Sequence, residues 1–187
     1  VFSRSIVFLK ARYAQWIPHP VWRNTIGGAV VVAAALILQT QRYLGLSLPL
    51  LQESFNGQAH VYDFIGKLFF TVLSLGAGYQ GGEVTPLFEI GATLGAALAP
   101  LLHVSVPFLA GLGFIGVFSG ATNTPIACFV MGIELFGSQA AVYFFMICLI
   151  SFMCSGNSGI YSAQQVAVKK GILFLPIVKR MKEKNKV

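Results

Sequence analysis

Three carboxylates, Glu83, Glu89 and Glu134, lie in a length of chain that holds no Lys or Arg between Lys67 and Lys169. An acid in such apolar surroundings is costly to ionise and is a functional candidate by default. Glu83 has the most pointed context, Gly81-Gly82-Glu83-Val84-Thr85-Pro86. The glycines permit a close, side-chain-free approach, and Pro86 is pre-set for the first turn of a helix, where its missing N–H costs nothing. The N–H groups just before it lack intrahelical partners, and such a helix end attracts anions. Glu83 places a carboxylate on that spot, so an anion and a proton compete for it. In a low-dielectric site beside an anion, desolvation and like charge both favour the protonated acid. Thr85 and Tyr161 are hydroxyl donors that could turn toward the same anion. Taken singly, each has a plainer reading: Glu83 as a first-turn acid, Thr85 as a helix cap, Tyr161 as an interfacial aromatic. Donors without a formal cation would hold an anion without trapping it. Glu89, six residues from Glu83 and off its helical face, stays open between a functional and a structural role. Glu134 reads as a structural acid bonded to nearby backbone.

The elements that position these groups belong to a membrane. Of 187 residues, 56% are hydrophobic and 10% charged, against about 25% charged in ordinary soluble domains. Apolar runs fall near Thr25–Leu38, Leu68–Gly78, Val84–Leu102, Phe108–Gly120, Pro125–Phe136 and Ala140–Met153. Several are shorter than the roughly 20 residues an upright span needs, as where transporter helices stop partway. The expected class is an all-α polytopic membrane protein with broken and tilted helices. The net charge of +7 gathers at the two ends. The basic run at 173–187 is expected to be a cytoplasmic tail behind a transmembrane domain at 1–172. No basic folded face suggests nucleic-acid binding. Cys128, Cys148 and Cys154 read as small buried hydrophobes, with neither disulfide nor metal spacing, and no cofactor motif is present.

Along the chain, 1–16 has a helical rhythm of Phe2, Ile6, Leu9 and Tyr13, ended by Pro18 and Pro20. Trp16 and Trp22 suit the headgroup level. A helix is expected from Thr25, a polar interruption over 39–60, and a helix over 63–75 with Asp63 and Lys67 paired at i, i+4. Gly116 and Gly120 permit close helix approach. Polar breaks precede three helix starts, at Glu83, Thr124 and Tyr161. Gly156-Asn157-Ser158-Gly159 fits the Gly-x-Ser-Gly of rhomboid intramembrane proteases. That chemistry needs a histidine on a later helix, and His19, His60 and His103 all precede Ser158, so no enzyme activity is expected.

Together, GGEVTPLFEIGATLGAALA, GLGFIGVFSGATNTPIACFVMGIEL and GIYSAQQ resemble the C-terminal half of a CLC-type anion channel or transporter. The first replaces the family's Gly-x-Phe-x-Pro helix start, with Val84 at the usual phenylalanine and Glu83 at a usually aliphatic place. Glu-Val-Thr-Pro in this slot is similar to the fluoride/proton antiporter branch. The resemblance implies the second of two inverted repeats, with anion contacts from Glu83, the Val84 N–H, Thr85 and Tyr161, and proton coupling through Glu83. It also implies a homodimer in a cell inner membrane, with an interface drawn partly from the first helix and from Phe108–Met153. The C-terminus would be cytoplasmic, with no regulatory domain behind the last helix. The expected function is fluoride export coupled to proton import. A chloride- or nitrate-handling relative of the same fold, and a non-transporting membrane scaffold, remain alternatives.

Overall fold

The computed structural model describes residues 2–156, 159–161 and Gln164. Within them the chain folds into α1 (Phe2–Trp16), α2 (Pro20–Ile37), α3 (Leu48–Phe55), α4 (Asp63–Gly76), α5 (Val84–Leu102), α6 (Val106–Thr122), α7 (Pro125–Phe136) and α8 (Ala141–Cys154), with a 3-10 turn at Ser138–Ala140 and no strand among the described residues. Proline sets half of the starts. It occupies the first or second position of α2, α3, α6 and α7, where its fixed φ is already helical. Left-handed residues close two helices, His103 after α5 and Asn123 after α6.

Two boundaries differ from the sequence-based expectation. α2 begins at Pro20, five residues before Thr25, because the proline starts the helix and Trp22 and Asn24 continue it. The interruption over 39–60 is not all loop, since its apolar centre forms α3. As far as Cys154 the remaining breaks fall as read. Only α2 and α5 are both long and apolar enough to cross a bilayer by themselves among the described residues. The 12 residues of α7 rise only about 18 Å, short of a hydrocarbon core of roughly 30 Å.

α5 is the centre of the packing. Its most extensive contact is with α6, and it also meets α3 and α4. The α5–α6 approach is backbone on backbone. A Cβ on Gly91 would strike the carbonyl of Gly113, and one on Gly95 would strike the carbonyl of Leu109. Without a hydrophobic drive between helices in lipid, such small-residue contact is what joins them. Ala92, Phe114, Ile115, Cys128, Phe144 and Cys148 form the core among α5 to α8. Phe2 and Ile6 of α1 pack on Leu87 and Ile90 of α5, as the spacing of the first helix predicts.

The charges inside this frame pair differently from the expectation. Asp63 and Lys67 are both fully buried and do not pair with each other. Asp63 accepts hydrogen bonds from the Tyr43 hydroxyl (2.7 Å), the His60 backbone N–H (2.8 Å) and Arg42 (3.1 Å). Arg42 also bridges to Glu53. Lys67 lies instead 2.8 Å from Glu89 of α5. Nearest sequence spacing loses here because tertiary contact offers each group a better partner. Glu134 is exposed and has no hydrogen bond or ion pair among the described residues, so it is not the backbone-bonded acid expected. Cys128 and Cys148 are buried as predicted, whereas Cys154, at the end of α8, is exposed.

Candidate anion site at the start of α5

The Gly81-Gly82 turn delivers the chain to Glu83, which occupies the N-cap of α5 and makes no side-chain capping hydrogen bond. The simplest alternative role for this acid, a helix cap, therefore leaves its carboxylate unengaged. Val84 and Thr85 follow as the first two helical residues, and Pro86 as the third, so the N–H groups of Val84 and Thr85 have no intrahelical acceptor. Neither N–H has a backbone partner elsewhere in the described chain. Glu83, Val84 and Thr85 are partly exposed, while Pro86 and Leu87 are buried.

A cavity of about 620 Å³ opens beside this turn, lined by Ser3, Arg4, Glu83, Ile160, Tyr161 and Gln164 among others. The structure thus brings Glu83, from the middle of the chain, and Tyr161, from its C-terminal part, to one space. Tyr161 is held there by its own strand of backbone: the Ile160 N–H donates to the Ala121 carbonyl at 2.9 Å, strapping the segment to the end of α6. Gln164 closes the turn through its N–H to the Tyr161 carbonyl at 3.1 Å. Val84 and Thr85 share the turn with Glu83 but do not line this cavity.

The site is not free of formal cations, as the sequence suggested it would be. Arg4 lines the same cavity, and Lys10 is close enough for its charge to act on Glu83. Both belong to α1 and are part of the positive charge gathered at the start of the chain. The usable signal was Ser3, Arg4 and Val7 at helical spacing on one side of α1. The expected helix after Tyr161, the basic tail at 173–187 and Ser158 of the protease-like motif lie outside the described residues. Among the described residues no cluster of His, Cys, Asp and Glu could hold a metal ion.

Comparison with known proteins follows the same lines. The chain is 44% identical to a "Chloride/fluoride channel protein" of Pseudomonas syringae pv. tomato over 176 residues, 91% of this chain and 39% of that protein. It is 32% identical to an uncharacterized protein of Methanocaldococcus jannaschii over 129 residues, 67% of this chain and 32% of that protein. Its fold is similar to the crystal structure of a CLC-type fluoride/proton antiporter, with a TM-score of 0.84 and 38% identity over 88% of this chain and 42% of that one. The chain therefore spans about two fifths of the length of two of these relatives and a third of the other. The all-helical architecture is that of the CLC fold, and its relatives are multi-pass membrane proteins. The model of the voltage gated chloride channel family matches residues 1–156, and the chain belongs to that family.

Proposed function

We propose that the chain is the C-terminal half of a CLC-type subunit that exports fluoride in exchange for protons. One observation carries this reading. An N-cap acid with no capping bond, Glu83, shares a cavity with Tyr161, beside N–H groups of Val84 and Thr85 that have no backbone partner. Fluoride is small, strongly hydrated and a strong hydrogen-bond acceptor, so dehydrating it requires several donors at once. The Tyr161 and Thr85 hydroxyls and the Val84 N–H are the donors proposed. Arg4 and Lys10 make the approach electropositive without contributing a tight ion pair.

Protonated Glu83 donates a hydrogen bond to the anion. Ionised, it competes with the anion for the same helix end. Alternation between the two states moves a proton and a fluoride in opposite directions, provided each state favours a different arrangement of the pathway. The relatives' printed descriptions, a chloride/fluoride channel protein and a fluoride/proton antiporter, support the substrate class. The first also admits chloride, which makes chloride conduction the second reading.

The same proposal includes a homodimer in a cell inner membrane, with residues 1–172 as the membrane part and 173–187 as a basic cytoplasmic tail. The test uses the full-length protein in liposomes loaded with equal fluoride and chloride, read by two ion-selective electrodes. Efflux of fluoride with chloride retained is the expected result. Chloride efflux at an equal or greater rate rejects the fluoride reading.

A further inference from the structure

The Lys67–Glu89 pair takes no part in the proposed anion chemistry, yet it is the most deeply enclosed ion pair in the described chain, 1% and 0% exposed. We propose that Lys67 and Glu89 are positioning residues that clamp the start of α5 between α4 and the loop from Tyr43 to Ser47. The clamp rests on the reading of that helix start as the anion station.

Lys67 is the hub. Its ammonium lies 2.8 Å from Glu89 and donates to the Gly45 carbonyl (2.9 Å), the Ser47 hydroxyl (2.8 Å) and the Tyr43 carbonyl (3.4 Å). The loop needs such a template, because Gly45 and Ser47 both hold positive φ, and a serine rarely adopts it. Tyr43 anchors the same loop to α4 through its hydroxyl on Asp63 and its ring against Gly66. The loop in turn faces the α5 start: Tyr43 and Gly45 line a cavity of about 260 Å³ whose other wall includes Gly81, Gly82 and Pro86. Lys67 therefore ties together the loop, its own helix and α5.

On α5 the clamp opposes the α6 contact. At about 100° per residue, Glu89 lies some 200° from Gly91 and 240° from Gly95, the residues that meet the α6 backbone. α5 is thus held by backbone contact on one side and by charge on the other, which fixes its rotation as well as its distance. Stability alone does not account for the pair. Beyond Lys67, Glu89 has no polar side-chain partner among the described residues, and a buried pair so incompletely bonded is commonly no better than apolar side chains of the same volume. What apolar side chains would not supply is register.

The test is made on the full-length protein with the double variant Lys67→Met/Glu89→Met, which removes both charges and keeps volume, and with Glu89→Gln, which leaves Lys67 its three loop acceptors. Hydrogen exchange and fluoride efflux are read together. The clamp predicts at least tenfold faster amide exchange at Phe88 and Ile90, in the first hydrogen-bonded turn of α5, unchanged exchange in α6 and α8, and at least a tenfold rise in half-saturating fluoride for the double variant. Glu89→Gln should shift both in the same direction by less. Unchanged exchange at the α5 start in both variants overturns the proposal. So does failure of both to fold, or loss of protection spread evenly through α4, α5 and α6, since either makes the pair a general part of the core. Absence of fluoride efflux in the unsubstituted protein would reject the antiport reading, and the exchange measurement would still decide the clamp.

Discussion

Two glycine-to-alanine changes, one on each side of the α5–α6 pair, should have opposite signs. At Gly95 a methyl group would overlap the Leu109 carbonyl oxygen and sit 2.7 Å from its carbon and 2.9 Å from the Ala110 Cα. These neighbours are backbone and cannot rotate away, so the helices must part by about 1 Å, an overpacking that costs about 1–3 kcal/mol. Alanine's better helix propensity returns about 0.5–1 kcal/mol. The net for Gly95→Ala is a loss of up to about 2.5 kcal/mol. At Gly111 of α6 the same methyl meets only the Phe136 ring at 3.8 Å, an ordinary contact, so Gly111→Ala keeps the propensity gain of about 0.5–1 kcal/mol. Thermal denaturation of the full-length protein in detergent reads both. Because α5 carries Glu83–Thr85, the Gly95→Ala shift should also slow fluoride efflux, by up to about 100-fold for a displacement near 1 Å. If Gly95→Ala melts at or above Gly111→Ala, the α5–α6 contact is looser than described and the reasoning fails.

Tyr161→Phe and Thr85→Val should each weaken fluoride binding by about 1.5–3 kcal/mol, the worth of a hydrogen bond to a charged group, with the fold retained. Calorimetric titration checks this, and unchanged affinity in both removes the two hydroxyls from the site. Asp63→Asn should lower stability by about 1.5–3 kcal/mol, because Tyr43, His60 and Arg42 keep only a neutral acceptor while Arg42 retains Glu53. Tyr43→Phe should cost about 1–2 kcal/mol by comparison. Equal melting temperatures for Asp63→Asn and the unsubstituted protein would contradict that network.

Helix starts were legible in the sequence because proline and its polar neighbours act locally. Pro86, Pro107 and Pro125 each fall in a first turn, where geometry needs no distant partner. Glu83 was legible for the same reason, since an acid at a glycine-led helix start is unusual on its own terms. What escaped was long-range. Glu89 found Lys67 on a different helix, while the i, i+4 rule offered Lys67 the nearer Asp63, a choice that only packing reverses. Arg4 reached the Glu83 cavity because Phe2 and Ile6 seat α1 on Leu87 and Ile90, a docking that the rhythm of α1 implied without naming its target. Glu134 was overread: an acid in an apolar run looked enclosed, but it lies on an outer face of α7.

The most direct test of the account asks whether Glu83 couples the two ions. Full-length protein in liposomes with fluoride at equal concentration on both sides is given an inward proton gradient, and a fluoride electrode and a pH probe record together. The account predicts that the gradient drives fluoride out uphill, with protons entering in fixed proportion. Glu83→Gln, which keeps shape and a donor but cannot exchange a proton, should abolish the uphill movement in a protein that still folds. Uphill fluoride export at an undiminished rate in Glu83→Gln would contradict the account and leave Glu83 as a residue of the helix start alone.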